Sequence, residues 1–187
     1  MKEEVLISDK ELLARFRDDS SRNLAFNEII QKYQKRIYWH IRRMVIDHDD
    51  ADDIVQDVFI KVWKNLINFR EDAQLYTWIY RIATNECITF LNRKKLKATD
   101  SFDDHAEYLS DKLTEGKYVD GNEIQIKLQK AILTLPEKQR IVFNMKYFDE
   151  MKYEEISEVL ETSVGGLKAS YHLAVKKIEK YFYAHTD

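Results

Sequence analysis

The 187-residue sequence has a single cysteine, a single proline and only four glycines. A lone Cys87 excludes an internal disulfide and any cysteine-based zinc site. The scarcity of Pro and Gly, with few strand-like alternations, points to a chain built from helices. No stretch approaches the roughly 18 apolar residues of a spanning helix. The opening MKEEVLISDK carries no apolar signal-peptide core, so a cytoplasmic protein is expected. An excess of positive charge is also missing. The formal net charge is -3, which is not the footprint of a protein that binds DNA strongly by itself. No nucleophile–base set or metal cluster is visible, so the sequence predicts no catalytic residue, cofactor or metal.

What the chain does have is apolar residues, 44% of the total and enough for real cores, and an uneven charge. Residues 1–96 hold 17 basic and 16 acidic side chains, residues 97–121 hold 3 and 7, and residues 122–187 hold 10 and 10. The middle stretch, KATDSFDDHAEYLSDKLTEGKYVDG, is acidic and weakly periodic, which reads as a flexible linker. The expected architecture is therefore all-α, two small helical domains (1–96 and 122–187) joined by the linker 97–121. Ser8, with Glu11 three residues on, caps a first short helix. A longer one follows from about Ser21, His48–Asp50 reads as a turn, and helices are expected over 50–66 and 76–95. In the second half the expected helices are 123–134, 136–147, 153–160 and 164–182. Pro136 suits a first helical turn.

Three segments carry surfaces that a core does not require. Over 50–66, Ala51, Ile54, Val55, Val58, Val62 and Leu66 form a core stripe. Asp53, Gln56, Asp57 and Ile60 lie on another face, where an apolar residue among polar ones suits a protein-binding surface. A solvated helix with one stray Ile fits the same spacing. On the 76–95 helix, Ile79, Ala83, Cys87 and Phe90 share a core face, with Leu91 beside it. The opposite face carries Trp78, Arg81 and Asn85, continued by Arg93, Lys94 and Lys95, with Phe69, Arg70, Tyr76 and Thr77 just before. Rings to stack on and cations for phosphate are what unpaired bases need. The alternative is that Tyr76 and Trp78 pack into the core.

The third segment, Tyr153–Lys180, reads as a helix-turn-helix. Val164, Leu167, Tyr171, Val175, Ile178 and Phe182 face inward. Gly165, Gly166, Ala169, His172, Leu173 and Lys176 face outward, with Lys168 and Ser170 on the flanks. Two glycines in a first helical turn are poor helix formers, but they let backbone approach DNA closely. A hairpin with a solvated lysine face is the competing reading.

With these residues in hand, the chain resembles the extracytoplasmic-function group of bacterial sigma factors, over residues 8–182 apart from the linker. DADDIVQDVFIKVW resembles that family's helix for the polymerase β′ clamp. FREDAQLYTWIYRIATNECITFLNRKK resembles its -10 reading and melting segment, and residues 135–180 resemble its -35 domain. The resemblance implies a transcription initiation factor that docks on core RNA polymerase (β′ clamp and β flap) and directs it to promoters. It implies that Asp53, Gln56, Asp57 and Ile60 face β′. It further implies that the loop from Phe69 to Thr77 pockets a flipped -10 base near Trp78, Arg81 and Asn85, and that the helix from Val164 enters the major groove at -35. An anti-sigma factor is the implied inhibitor, with no membrane insertion by this chain. A stand-alone helix-turn-helix regulator and a purely protein-binding module are the rivals.

The departures fall on the recognition helix. Gly166 stands where Thr is usual, Ala169 for Ser, and Ser170 and Leu173 for Arg, which predicts weaker anchoring at -35 and an altered base preference. Lys152 replaces a common capping Ser, leaving the start of its helix without the usual cap.

Overall fold

The computed structural model describes residues 7–97 and 123–185, so the expected linker lies, beyond Lys97, outside the described residues. Every regular element among them is a helix. The short α1 (Asp9–Arg17) opens at Ser8, whose Oγ accepts from the Glu11 backbone N–H at 3.3 Å. The long α2 (Arg22–Val45) buries Phe26, Ile29, Tyr33, Ile37 and Ile41 on one stripe.

α2 ends abruptly. Ile46 takes φ 68 and ψ -38, and the Asp47 N–H donates back to the Val45 carbonyl at 2.8 Å. A β-branched residue in such a tight turn is strained by on the order of 1–3 kcal/mol. Burial of the Ile46 side chain in the core opposes that strain. Asp47 then caps α3 (His48–Leu66), its carboxylate accepting from the Asp49 and Asp50 N–H groups. His48–Asp50, expected as a turn, is thus the first turn of α3. The cap is Asp47, and Asp49 and Asp50 suit the positive end of the helix. α4 (Leu75–Lys97) completes the first unit, in which α2, α3 and α4 pack on one another and α1 lies on α2. The predicted α3 stripe is buried throughout, with Phe59 added to it. On α4, Leu91 is buried more deeply than Phe90.

The second unit has α5 (Glu123–Leu133), α6 (Glu137–Tyr147), α7 (Tyr153–Leu160) and α8 (Val164–Ala184). Pro136 is the extended residue before α6 rather than part of its first turn. α7 starts where expected despite Lys152, because the Glu155 carboxylate reaches back to accept the Lys152 N–H at 2.6 Å. Ser163 caps α8, its Oγ accepting from the Gly166 N–H at 3.2 Å. α8 packs on α5, α6 and α7, with Ala174, unpredicted as core, more buried than Val175.

The two units meet directly: α7 lies on α4, and α6 touches α2. Ile141, Val142, Met145, Met151, Ile156, Val159 and Leu167 join the same apolar cluster as the first unit's core. At the centre of the junction is Asp149, in the turn between α6 and α7, its side chain only 4% exposed. Its carboxylate meets His40 Nδ1 at 2.8 Å and accepts from Arg43 at 2.9 Å, and its carbonyl accepts from Arg36 at 3.3 Å. The other His40 nitrogen meets Thr84 Oγ1 at 3.0 Å, and the Arg43 guanidinium lies 4.6 Å over the Phe148 ring.

Candidate functional site

The acidic face of α3 is open. Asp53, Gln56, Asp57 and Ile60 are all exposed, Ile60 by half. Trp63 and Ile67, not among the residues expected on that face, continue its apolar side. Trp63 is fixed edge-on against Phe26 at 4.9 Å and Phe16 at 5.3 Å. Its indole is therefore a rigid apolar plate on the same face as Ile60, further along the helix from Asp53 and Asp57, a combination suited to a protein partner. A sequence signal for it does exist: Ile60, Trp63 and Ile67 recur at spacings of three and four.

A second surface is built by the loop before α4. A hollow of about 360 Å³ is lined by Asn65, Asn68, Phe69, Arg70, Asp72, Ala73, Trp78 and Arg81. Phe69 is mostly buried and lies 5.0 Å from the Trp78 ring at 39°, so it supports that indole from beneath. Arg17 anchors the loop, donating to the Phe69 carbonyl at 3.1 Å and pairing with Glu71 at 2.8 Å. Glu71 sits at φ 62, which turns the loop sharply. The hollow thus has an aromatic wall, two amides, a carboxylate and two guanidiniums. A base turned out of its stack needs such a ring for its face and such groups for its edge and phosphate. Asn65, at the end of α3, and the loop residues Asn68 and Asp72 are not among the expected residues, because a loop offers no periodicity to read and nothing in the α3 pattern turns Asn65 toward it.

The other predicted residues fall in different places. Asn85 and Arg93 are exposed on α4. Thr77 is 2% exposed and belongs to the core, so it supports the hollow without lining it. Lys94 pairs with Asp50 at 2.8 Å, tying α4 to α3. Tyr76 is half-buried at the junction of the two units, under the Arg36 guanidinium at 4.9 Å. Burial pushes its phenol up, against the pull of Arg36. Cys87 is fully buried, and burial likewise raises its thiol.

The outer face of α8 is the third surface. Gly165, Gly166, Lys168, Ala169, His172 and Lys176 are exposed, and Ser170 is half-buried. A Cβ on Gly165 would meet nothing within 4 Å, whereas one on Gly166 would approach the capping Ser163 Oγ at 3.3 Å. Gly166 therefore keeps room for the cap. Among the described residues no group of His, Cys, Asp or Glu could hold a metal ion, and no helix is long and apolar enough to cross a membrane.

The chain matches two family descriptions, Sigma-70 region 2 over residues 29–97 and Sigma-70, region 4 over residues 125–178. It is 32% identical over 164 residues to the ECF RNA polymerase sigma factor SigW of Bacillus subtilis, covering 83% of this chain and 88% of that one. Among solved structures it resembles CnrH in complex with the cytosolic domain of CnrY, with a TM-score of 0.71 at 20% identity over 95% of this chain and 99% of that one. It also resembles the sigma factor RpoE of Bartonella quintana, solved with the anti-sigma factor NepR. There the TM-score is 0.65 at 16% identity over 86% of this chain and 98% of that one.

Proposed function

The chain belongs to the extracytoplasmic-function sigma factors of the sigma-70 family and directs RNA polymerase to promoters; on that premise we propose which of its surfaces does which part of the task. Residues 1–96 form the polymerase-binding and -10 domain, residues 122–187 the -35 domain, and 97–121 the connection. Asp53, Gln56, Asp57 and Ile60, extended by Trp63, dock on the β′ clamp. The hollow under Trp78 receives a flipped -10 base: Trp78 stacks, Asn65 and Asn68 address the base edge, and Arg70, Arg81 and Arg93 neutralise the backbone. Asn85 extends this surface along α4. The outer face of α8 reads -35 as duplex. There Ala169 and Leu173 meet apolar base edges, while Lys168, Lys176 and His172 anchor phosphates, with Ser170 at the flank.

The hollow is the observation that carries this assignment. It joins a rigid ring to amides and cations on a scale a stand-alone duplex reader does not need. The chain has no reaction of its own, since RNA synthesis is the polymerase's chemistry, and it works in the cytoplasm. Core polymerase, promoter DNA and an anti-sigma factor are its partners. Its near-neutral charge fits a protein whose DNA affinity comes from being held in place by polymerase.

The test is promoter-fragment binding by the purified chain with and without core polymerase, a fluorescent base in the -10 strand reporting melting. Binding and melting that both require polymerase are expected. Tight duplex binding by the chain alone, without melting, would favour a stand-alone regulator instead. Trp78→Ala is expected to abolish melting and leave polymerase binding unchanged.

A further inference from the structure

We infer that the contact between the two units is autoinhibitory, with Asp149 as its latch. The closed chain masks part of the -10 surface while leaving the -35 face open. Asp149 lies in the second unit, yet among the described residues its side chain hydrogen-bonds only across the junction, to His40 and Arg43 of α2. Within its own unit it uses backbone alone, its N–H donating to the Asn144 carbonyl at 3.2 Å. His40 in turn is fully buried and spans from Asp149 to Thr84 on α4, so one carboxylate is tied to both long helices of the first unit. Opening the junction would hand these groups to water. Removing Asp149 leaves the buried His40 Nδ1 and the Arg43 guanidinium without their carboxylate in the closed state only, and so penalises that state alone.

What closure covers is specific. Arg81, which lines the hollow, pairs at 3.3 Å with Glu161 at the end of α7. Tyr76 is half-buried beneath Arg36, which itself donates to the Asp149 carbonyl. Lys168, His172 and Lys176 on α8 remain exposed. Size makes the closed chain incompatible with a whole promoter. A compact chain of this length has a radius of gyration of about 16 Å and a width of about 40 Å. The roughly 25 base pairs between -35 and -10 span about 85 Å at about 3.4 Å each. The units must part before both elements are read, and the Asp149 cluster is what must break. The arginine–Glu161 pair at the rim is half-exposed and contributes little; the buried cluster sets the balance.

The experiment is single-molecule energy transfer on the full free chain, with dyes on Asn23→Cys and Lys177→Cys, both exposed sites, while buried Cys87 stays unlabelled. A single high-transfer population is expected. Asp149→Ala should move most molecules to low transfer with helix content unchanged, and Arg43→Gln should do so in part, guarding against a variant that misfolds. Low transfer in the unmodified chain, or no change on either substitution with folding intact, overturns the latch. The consequence for DNA rests on the assignment of the α4 surface, but the transfer measurement uses neither DNA nor polymerase, so the two can fail separately.

Discussion

Gly165 and Gly166 are adjacent and chemically identical, yet their surroundings set them different tasks. Gly165 faces open space, so Gly165→Ala should stabilise the fold by about 0.4–1 kcal/mol, through helix propensity and a less mobile unfolded chain. The added methyl projects from the surface assigned to -35, so the same substitution should weaken binding to -35 duplex. Thermal melting and duplex titration on one variant check the two halves of this trade. Lys168→Ala is expected to lower -35 affinity evenly across sequences and to reduce the salt slope by about 0.9 for each phosphate left without its cation. A sequence-selective loss would make Lys168 a base reader instead. Cys87, whose thiol burial holds well above its ordinary range, should resist iodoacetamide at pH 8 in the native chain and react once the chain is unfolded.

At the level of the helix, α3 carries a buried stripe and an exposed acidic face, assigned above to polymerase, on one cylinder. Its inner stripe holds the first unit together, and Asp53 and Asp57 are exposed on its outer face, so Asp53→Lys with Asp57→Lys should abolish binding to core polymerase without changing helix content or melting temperature. Retained binding would strip that face of its role. α7 shows a cap rebuilt by other means: with Lys at the capping position, the Glu155 carboxylate satisfies the Lys152 N–H. Glu155→Ala should cost about 0.5–1 kcal/mol in thermal stability. Elements like these are largely legible in the sequence because their signals are local. Ser8 announces its helix, and the α3 stripe repeats every three or four residues. The departures are local too. His48–Asp50 look like a turn in a run of polar residues, in which Asp47 is one aspartate among several and nothing singles it out as the cap. Trp63 resembles a core residue by its aromatic character, yet one side of its ring packs inward and the other stays open. Asn65 in the last turn of α3 and the loop residues Asn68 and Asp72 leave no pattern, since only the folded path of residues 67–74 brings them around Trp78.

Over the whole molecule, the division into two helical units follows from charge and periodicity, but their contact does not. His40 and Asp149 are 109 positions apart, and a single histidine on a helix and a single aspartate in a turn carry no mark of each other. The apolar residues that line the junction, Ile156 and Met151 among them, look in sequence like ordinary core of the second unit. The three tryptophans of the chain are distributed over this architecture in a way that makes it observable. Trp39 lies in the recess between the units beside Arg43, Leu128 and Phe148; Trp63 stands on the acidic face of α3; Trp78 forms the wall of the hollow. Each proposed event therefore has its own intrinsic fluorophore. In variants that keep one indole and replace the other two by Phe, separation of the units, docking of polymerase and capture of a base should each shift or quench a different emission, so the order of the three steps can be timed in a stopped-flow mixer without a single attached dye.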